Sequence, residues 1–577
     1  MRLVPDRFDV RGGTEGTARW NGEATVRVGP LEVEVWGSED EWSWTLANRG
    51  DASVAVDAVA LVHRVVEAGP PLRMFRNGYQ SWSPTGMATF GVDRDPSLAE
   101  GAPALAIGMH HADQSPAAAG ELRSELFTVL TDSSGDPRVV LGFAGGWEHD
   151  GTFRLRDGDD GPELWVEAHL GGAVLGPGEQ RSLHSCAVVS APNPFAALDG
   201  WAGRFPALGA RTTAPYQVGW CSWYHYFHDV CEADVRHNLA LGDEWPFTVF
   251  QVDDGYQSAI GDWLSTNERF PSPLPDLASA IAAHGRTPGI WIAPFVAAPS
   301  SVVAQQHPDW FARWPANGKP LLGAFNPAWG GAVHTLDTTN AEVLDHLEQL
   351  GRDLVAAGFP YLKLDFTYAP HLAGTYADPS RTPAQRVRAG YDAIRRGAGD
   401  AAFLLGCGAP LGPCIGAVDG MRIGADVAPW WDVQGGQWRP AGYEEGQPAT
   451  VNAWRNTLTR SFLHRRLWLN DPDCLMLRTS HTQLHRDAAR AWALAVGVSG
   501  GMALVSDDLA LLDGDAHALL DEVLELGRAS DAEARAGSPA RCDDLLDSAT
   551  PSHLSATGVT LVGDPDIGTA VLEQRLL

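Results

Sequence analysis

Lysine is nearly missing from this chain of 577 residues: only Lys319 and Lys363 occur, and every other basic side chain is arginine. Positive charge is also scarce. Forty-two Lys and Arg face 72 Asp and Glu, for a net charge of −30. Such a chain repels phosphate backbones and anionic lipid, which excludes nucleic acid and charged membrane surfaces as partners. No run approaches the ~18 apolar residues of a spanning helix. The first residues, Met1 to Asp9, carry no apolar stretch behind Arg2, so no secretory leader is predicted. The seven cysteines are odd in number, irregularly spaced and without a CxxC pair. They read as reduced thiols of a cytoplasmic protein, and no zinc site is expected. No GxGxxG follows an early strand, no HxH or HExxH falls in the strand–helix region, and no GxSxG stands in a strand–turn–helix context. Dinucleotide binding, metal hydrolysis and serine hydrolysis are thereby disfavoured. Internal repeats and low-complexity segments are absent as well.

What is present is a globular composition, 44% apolar and 20% charged, long enough for several units at ~150 residues each. Up to about residue 195, segments such as 24–28, 31–36, 42–46, 138–143 and 164–168 alternate apolar and polar residues between Gly, Asp and Asn, predicting an antiparallel β-sandwich. A short amphipathic helix is predicted over 192–206 and a linker over 209–215. From Tyr216 the rhythm changes. Eight short apolar runs (218–223, 248–252, 289–295, 361–366, 403–407, 421–424, 467–470 and 503–506) alternate with helical stretches such as 233–241, 277–284, 341–357, 383–397 and 450–464. This predicts a (β/α)₈ barrel with room for loop insertions. After about Ser530 short β-like pieces return. The division is therefore a sandwich over 1–209, a barrel over 210–528 and a small C-terminal β domain over 529–577.

Barrel chemistry gathers at the C-terminal strand ends, and these ends are polar. Strand two closes in Asp253-Asp254, strand four in Lys363-Leu364-Asp365, strand six in Arg422 to Asp426, and strand seven in Asn470-Asp471-Pro472-Asp473. Lys363 and Asp365 are two apart and share one side of their strand, so Lys363 is expected to lower the Asp365 pKa. Carboxylates facing one another without metal ligands suit acid/base and nucleophilic work on an acetal. Tryptophan is plentiful, 22 residues against 10 Tyr, and Trp82, Trp220, Trp223, Trp263 and Trp291 lie in or near these strings as flat surfaces for sugar faces.

The strings GWCSWYHYF, FQVDDGYQ, GIWIAPF, YLKLDF, LLGCGAPL, DGMRIGADVAPWW and WLNDPDCL resemble the α-galactosidases of glycoside hydrolase family thirty-six in clan D, its short bacterial branch most of all. The match runs in order from about Gly219 to Leu475, and Asn77 to Trp82 resembles a sandwich loop that reaches over the barrel mouth in that branch. The resemblance implies a sandwich, a barrel and a C-terminal β domain, and hydrolysis of terminal α-galactosides with retention. It implies Asp365 as nucleophile and Asp426 as general acid/base. It also implies Asp253 and Asp254 on galactose O4 and O6, Lys363 on O3 and O4, Cys407 and Arg422 near O2, and Trp291, Trp223, Tyr224 and Trp82 as aromatic walls, with no metal and no cofactor. Tyr79 stands where relatives often have Trp, and Ala425 where they often have Pro. The expected partner is a small carbohydrate such as melibiose or raffinose. An α-N-acetylgalactosaminidase, a transglycosylase on the same scaffold and a non-catalytic sugar-binding module are the alternatives, the last disfavoured by the intact Asp365 and Asp426.

Overall fold

Alternation of exposed and buried side chains builds the first sheets, as over Thr25–Val28, where Val26 and Val28 point inward. The computed structural model describes residues 1–20, 25–38, 40–94, 104–115, 117–118, 120–133, 138–191, 193–434 and 444–574. Ala24 and Pro192, where two sequence-read elements begin, lie outside them. Two antiparallel sheets, of six and eight strands, form the N-terminal region. The first is built on Val54–Val66 and Gly161–Leu175, the second on Glu41–Asn48, Arg138–Phe143 and Gln180–Ala191. Their apolar faces meet where Phe143 of one sheet packs on Phe153 of the other, ring centroids 5.2 Å apart.

All eight expected barrel strands form: Val218–Cys221, Val249–Val252, Thr287–Ile292, Tyr361–Leu364, Phe403–Gly406, Gly420–Arg422, Leu469–Asp471 and Ala503–Val505. They pair in parallel in chain order, the eighth returning to the first. The seventh and eighth are joined by Met502 N–H donating to the Asn470 carbonyl (2.9 Å) and by a bridge between Leu475 and Val505, so the barrel is nearly closed. The short strands are almost wholly buried because helices cover their outer face. Two such helices, Ala341–Ala356 and Pro383–Ala398, touch through Gly351 and Gly397. A Cβ on Gly397 would stand 1.8 Å from the Glu348 carbonyl oxygen, and one on Gly351 2.6 Å from that of Ile394. The second helix starts at a capping box of Thr382 and Gln385.

Three local differences from the sequence reading have physical causes. The helix expected over 450–464 ends at Thr459, and Ser461–Leu463 continues as a tight 3₁₀ turn. There the Arg460 guanidinium leaves the barrel to bind the sandwich. The third strand-to-helix connection carries a small antiparallel sheet, Val296–Ala297, Leu322–Asn326 and Gly331–Thr335, which realises the loop insertion. Finally, Ser530 to Arg535 is helical rather than β. It ends the 22-residue helix Gly514–Arg535, where buried Asp531 binds His464, Arg465 and Arg535. Four antiparallel strands follow, Arg541–Cys542, His553–Ala556, Val559–Asp564 and Thr569–Gln574. No helix among the described residues is long and apolar enough to cross a membrane.

A loop of the sandwich, 77–82, is built into the barrel. Arg460, fully buried, donates to the carbonyls of Ser81 (3.0 Å), Gly78 (2.9 Å) and Ile423 (2.7 Å) and to Asn77 Oδ1 (3.2 Å). Tyr79 and Ser81 exchange backbone bonds with Leu411 and Ala409. The loop thereby sets Trp82 against Phe366 and Tyr368, at 5.1 and 6.2 Å between ring centroids.

Candidate active site

The strand ends open into one cavity of about 840 Å³ at the C-terminal mouth of the barrel. Trp82, Trp223, Tyr224, Asp253, Asp254, Trp291, Lys363, Asp365 and Asp426 all line it. Cys407 and Arg422 do not. Both are buried behind the wall, Cys407 packed among Tyr79, Trp82 and Tyr368, Arg422 among carboxylates. Of these, Asp253, Asp254, Asp365 and Asp426 stand just beyond strand ends, Trp291 and Lys363 lie within strands, and Trp82 comes from the sandwich loop.

Asp365 follows the fourth strand. Its N–H is held by the Ile292 carbonyl (2.8 Å), and Phe366 turns away at φ 53°. Its Oδ2 accepts the Trp291 indole N–H at 2.9 Å and its Oδ1 the Phe366 N–H at 2.8 Å. Lys363 does lower the Asp365 pKa as expected, but burial outweighs it. Burial raises the Asp365 pKa, Lys363 and Trp291 oppose the rise, and Asp426 adds to it. Lys363 gives its ammonium elsewhere, to Asp253 Oδ2 at 2.9 Å. That same Oδ2 accepts Gln251 Nε2 at 2.5 Å, while Asp253 Oδ1 accepts the Asp254 N–H at 2.9 Å. Asp254 is fixed by Gln257 (2.6 Å), the Trp329 indole (2.8 Å) and His228 Nδ1 (3.0 Å). The pair is therefore rigid before any ligand arrives, one member charge-balanced by Lys363.

Asp426 lies beyond the sixth strand with its side chain 32% exposed, and Arg422 Nη1 donates to its Oδ1 at 2.9 Å. Behind them is Asp473, a group not included in the expected site. Sequence reading also missed Trp329, Phe325, Tyr368, Met109 and His110, all on the cavity wall. Trp329 and Phe325 come with the inserted sheet, and Met109 and His110 with the helix Ala104–His110. For Trp329 the only available signal was tryptophan abundance. His110 and His111 are adjacent in a region that reads as β, and nothing in that string marks its nearness to the mouth. Among the described residues the one cluster with metal-ligand spacing is Asp113, Glu167 and His169. It belongs to the sandwich, and Arg11 and Arg154 each bind both of its carboxylates.

Two carboxyl groups facing one cavity at the C-terminal rim of a parallel barrel, beside fixed polar groups and indole walls, form the arrangement of a barrel glycoside hydrolase. Residues 221–389 match the Melibiase family model. That match, which covers part of the barrel, agrees with the resemblance to glycoside hydrolase family thirty-six read from the strand ends. Among curated relatives, the A type blood alpha-D-galactosamine galactosaminidase of Flavonifractor plautii is 24% identical over 269 residues, 44% of this chain and 22% of that one. Alpha-galactosidase 2 of Pediococcus pentosaceus is 27% identical over 169 residues, 28% of this chain and 22% of that one. The matched stretch spans about a fifth of these relatives' length. Among solved structures, the alpha-galactosidase TtGalA from Thermus thermophilus in complex with p-nitrophenyl alpha-D-galactopyranoside superposes with a TM-score of 0.67. It is 28% identical, over 87% of this chain and 94% of that one. AgaA from Geobacillus stearothermophilus, 14% identical, shares the fold with a TM-score of 0.59 over 99% of this chain and 78% of its own.

Proposed function

We propose that the chain is a retaining α-galactosidase that removes terminal α-D-galactosyl residues from small galactosides such as melibiose or raffinose. The observation that carries this reading is that one cavity holds Asp365, Asp426 and the fixed Asp253–Asp254–Lys363 set. Asp365 attacks C1, and Asp426 protonates the leaving oxygen and then activates water. Asp253 and Asp254 take the O4 and O6 hydroxyls and Lys363 bridges O3 and O4. The axial O4 of galactose meets a charge already in place, whereas a glucoside leaves that desolvated charge without a partner. Trp291, Trp223, Tyr224 and Trp82 wall the sugar, and Arg422 and Cys407 back its O2 side. The reading divides the chain into a sandwich at 1–209, a barrel at 210–528 and a C-terminal β domain at 529–577, in a bacterial cytoplasm and without a cofactor.

Turnover of p-nitrophenyl α-galactoside beside the matching α-N-acetylgalactosaminide tests it, with NMR of the first-formed sugar. α-Galactose released first supports the reading, and β-galactose or inertness on both substrates overturns it. Preference for the acetamido substrate would favour the second reading, an α-N-acetylgalactosaminidase; the Flavonifractor plautii relative's name carries galactosamine, a sugar likewise substituted with nitrogen at C2.

Two predictions follow from the carboxyl pair. Asp426→Ala should cost natural sugars far more kcat/KM than nitrophenyl galactoside, whose leaving group needs no acid. Equal losses on both would remove Asp426 from the acid role. The nucleophile must be ionised, so the rate falls as pH drops through the Asp365 pKa. Because that pKa is raised, the acid limb of kcat/KM lies above the ordinary Asp value of ~3.9. Trp291→Phe removes a bond to the carboxylate and should move this limb to still higher pH. An unmoved limb would show that the indole N–H plays no part in the ionisation.

A further inference from the structure

Asp473 stands two residues past the seventh strand, with φ at 95°. Few side chains enter that left-handed region, Asp and Asn foremost among them, and the conformation is costly. The turn sends the carboxyl inward, to 1% exposure, and away from the cavity surface. Its Oδ2 accepts Arg422 Nη1 at 2.7 Å, the Val427 N–H at 2.9 Å and the Tyr224 hydroxyl, and its Oδ1 accepts the Cys474 N–H at 2.7 Å. Arg422 Nη1 is the same nitrogen that donates to Asp426 Oδ1 at 2.9 Å, and Val427 is the residue after Asp426. One carboxyl therefore holds both the cation that binds Asp426 and the backbone next to it.

The charges around Arg422 do not balance. Its Nε edge faces Asp471 Oδ2 at 3.6 Å, so three carboxyl groups surround one guanidinium. The nearby ammonium of Lys363 is committed to Asp253, and Asp365 lies across the mouth with Trp291. The neighbouring Tyr224 hydroxyl and Cys474 thiol add no positive charge, burial holding both pKa values well above their ordinary range. A buried group of three acids and one cation retains protons that an acid–cation pair would release. Burial, with Arg422 and Lys363 opposing and Asp426 and Asp471 adding, brings Asp473 itself up to about 7, so above neutral pH, where the basic limb is read, it stands as the carboxylate that competes with Asp426 for Arg422.

We propose that Asp473 is a positioning residue that claims Arg422 and thereby leaves Asp426 the proton it donates to the leaving group. In a variant without the Asp473 charge the guanidinium that both carboxyl groups share is left to Asp426, which favours the Asp426 carboxylate over its acid form. The inference rests on the acid/base role proposed for Asp426.

The test is Asp473→Asn in the full chain. Asn keeps an oxygen for the Val427 N–H and the Tyr224 hydroxyl and tolerates the backbone. The readout is kcat/KM against pH on melibiose, whose leaving oxygen needs an acid, and on p-nitrophenyl α-galactoside. The expected result on melibiose is a basic limb displaced downward by about one pH unit, with the nitrophenyl substrate far less affected at neutral pH. Asp473→Gly, unstrained at φ 95°, should give the same displacement. An unmoved basic limb with equal losses on both substrates would overturn the proposal and leave Asp473 a structural role. Failure of both variants to fold would also overturn it, because the carboxylate would then serve the fold. A wild-type chain inactive on both substrates would instead sink the proposed function, so the two failures are distinguishable.

Discussion

Replacing Asp365 by Ala should lower kcat by roughly 10⁴-fold or more, and added azide should restore part of the loss. The carboxylate is pinned by Trp291 and by the Phe366 N–H, at the floor of the cavity that Asp426 also lines. Among the described residues the other carboxyl groups of the cavity are held elsewhere: Asp253 by Lys363, Asp254 by Gln257, Trp329 and His228, and Asp426 by Arg422. The Ala variant leaves a space of carboxylate size from which azide can attack C1, giving β-galactosyl azide. The fold should survive, with a melting temperature equal to or above wild type, because a buried acid with a raised pKa is a destabilising group. Near-normal turnover in Asp365→Ala, or rescue that yields no β-azide, would take the nucleophile role away from Asp365.

The second large effect is expected at Lys363. Lys363→Arg should reduce kcat/KM by about 10²-fold or more and weaken inhibition by galactose, although the charge is conserved. The ammonium is 6% exposed and lies 2.9 Å from Asp253 Oδ2, an oxygen that also receives Gln251. Three donors on one atom can hold Asp253 and still reach two sugar hydroxyls. A planar guanidinium needs a broader berth, and in this strand it would intrude on the sugar or push Asp253 off its contacts. In a chain that uses Arg almost everywhere, a buried Lys at this point fits a demand for a compact cation. Wild-type kcat/KM and an unchanged galactose inhibition constant in Lys363→Arg would mean that the residue only balances charge.

The strand ends were legible because a barrel writes them plainly: an apolar run covered on both sides, then an abrupt polar string. The sequence alone thus places Asp253, Asp254, Lys363, Asp365 and Asp426 on one rim. Direction along the rim was not legible. Lys363 and Asp365 do share a side of their strand, yet the ammonium turns to Asp253, because a long flexible stem chooses its partner in three dimensions. Burial then outweighs Lys363 at Asp365, a balance that residue spacing cannot convey. Trp329 and Phe325 were hidden because an inserted sheet brings them to the mouth, and such a loop carries no barrel period. Asp473 was seen as a strand-end acid, but its inward turn depends on a backbone conformation that the residue name only permits.

The clamp at Arg460 bears on how such a chain can change over generations. One guanidinium from the barrel closes on four residues of the sandwich loop, and that loop supplies Trp82 to the wall of the cavity. Recombination that exchanged the N-terminal sandwich for a foreign one would deliver a pocket with a missing side and a buried cation left with the Ile423 carbonyl alone among its acceptors. Sandwich and barrel are therefore bound to be inherited together, and shifts in substrate range can arise more freely from the inserted sheet beside Trp329, which can be lengthened or recast without touching that lock.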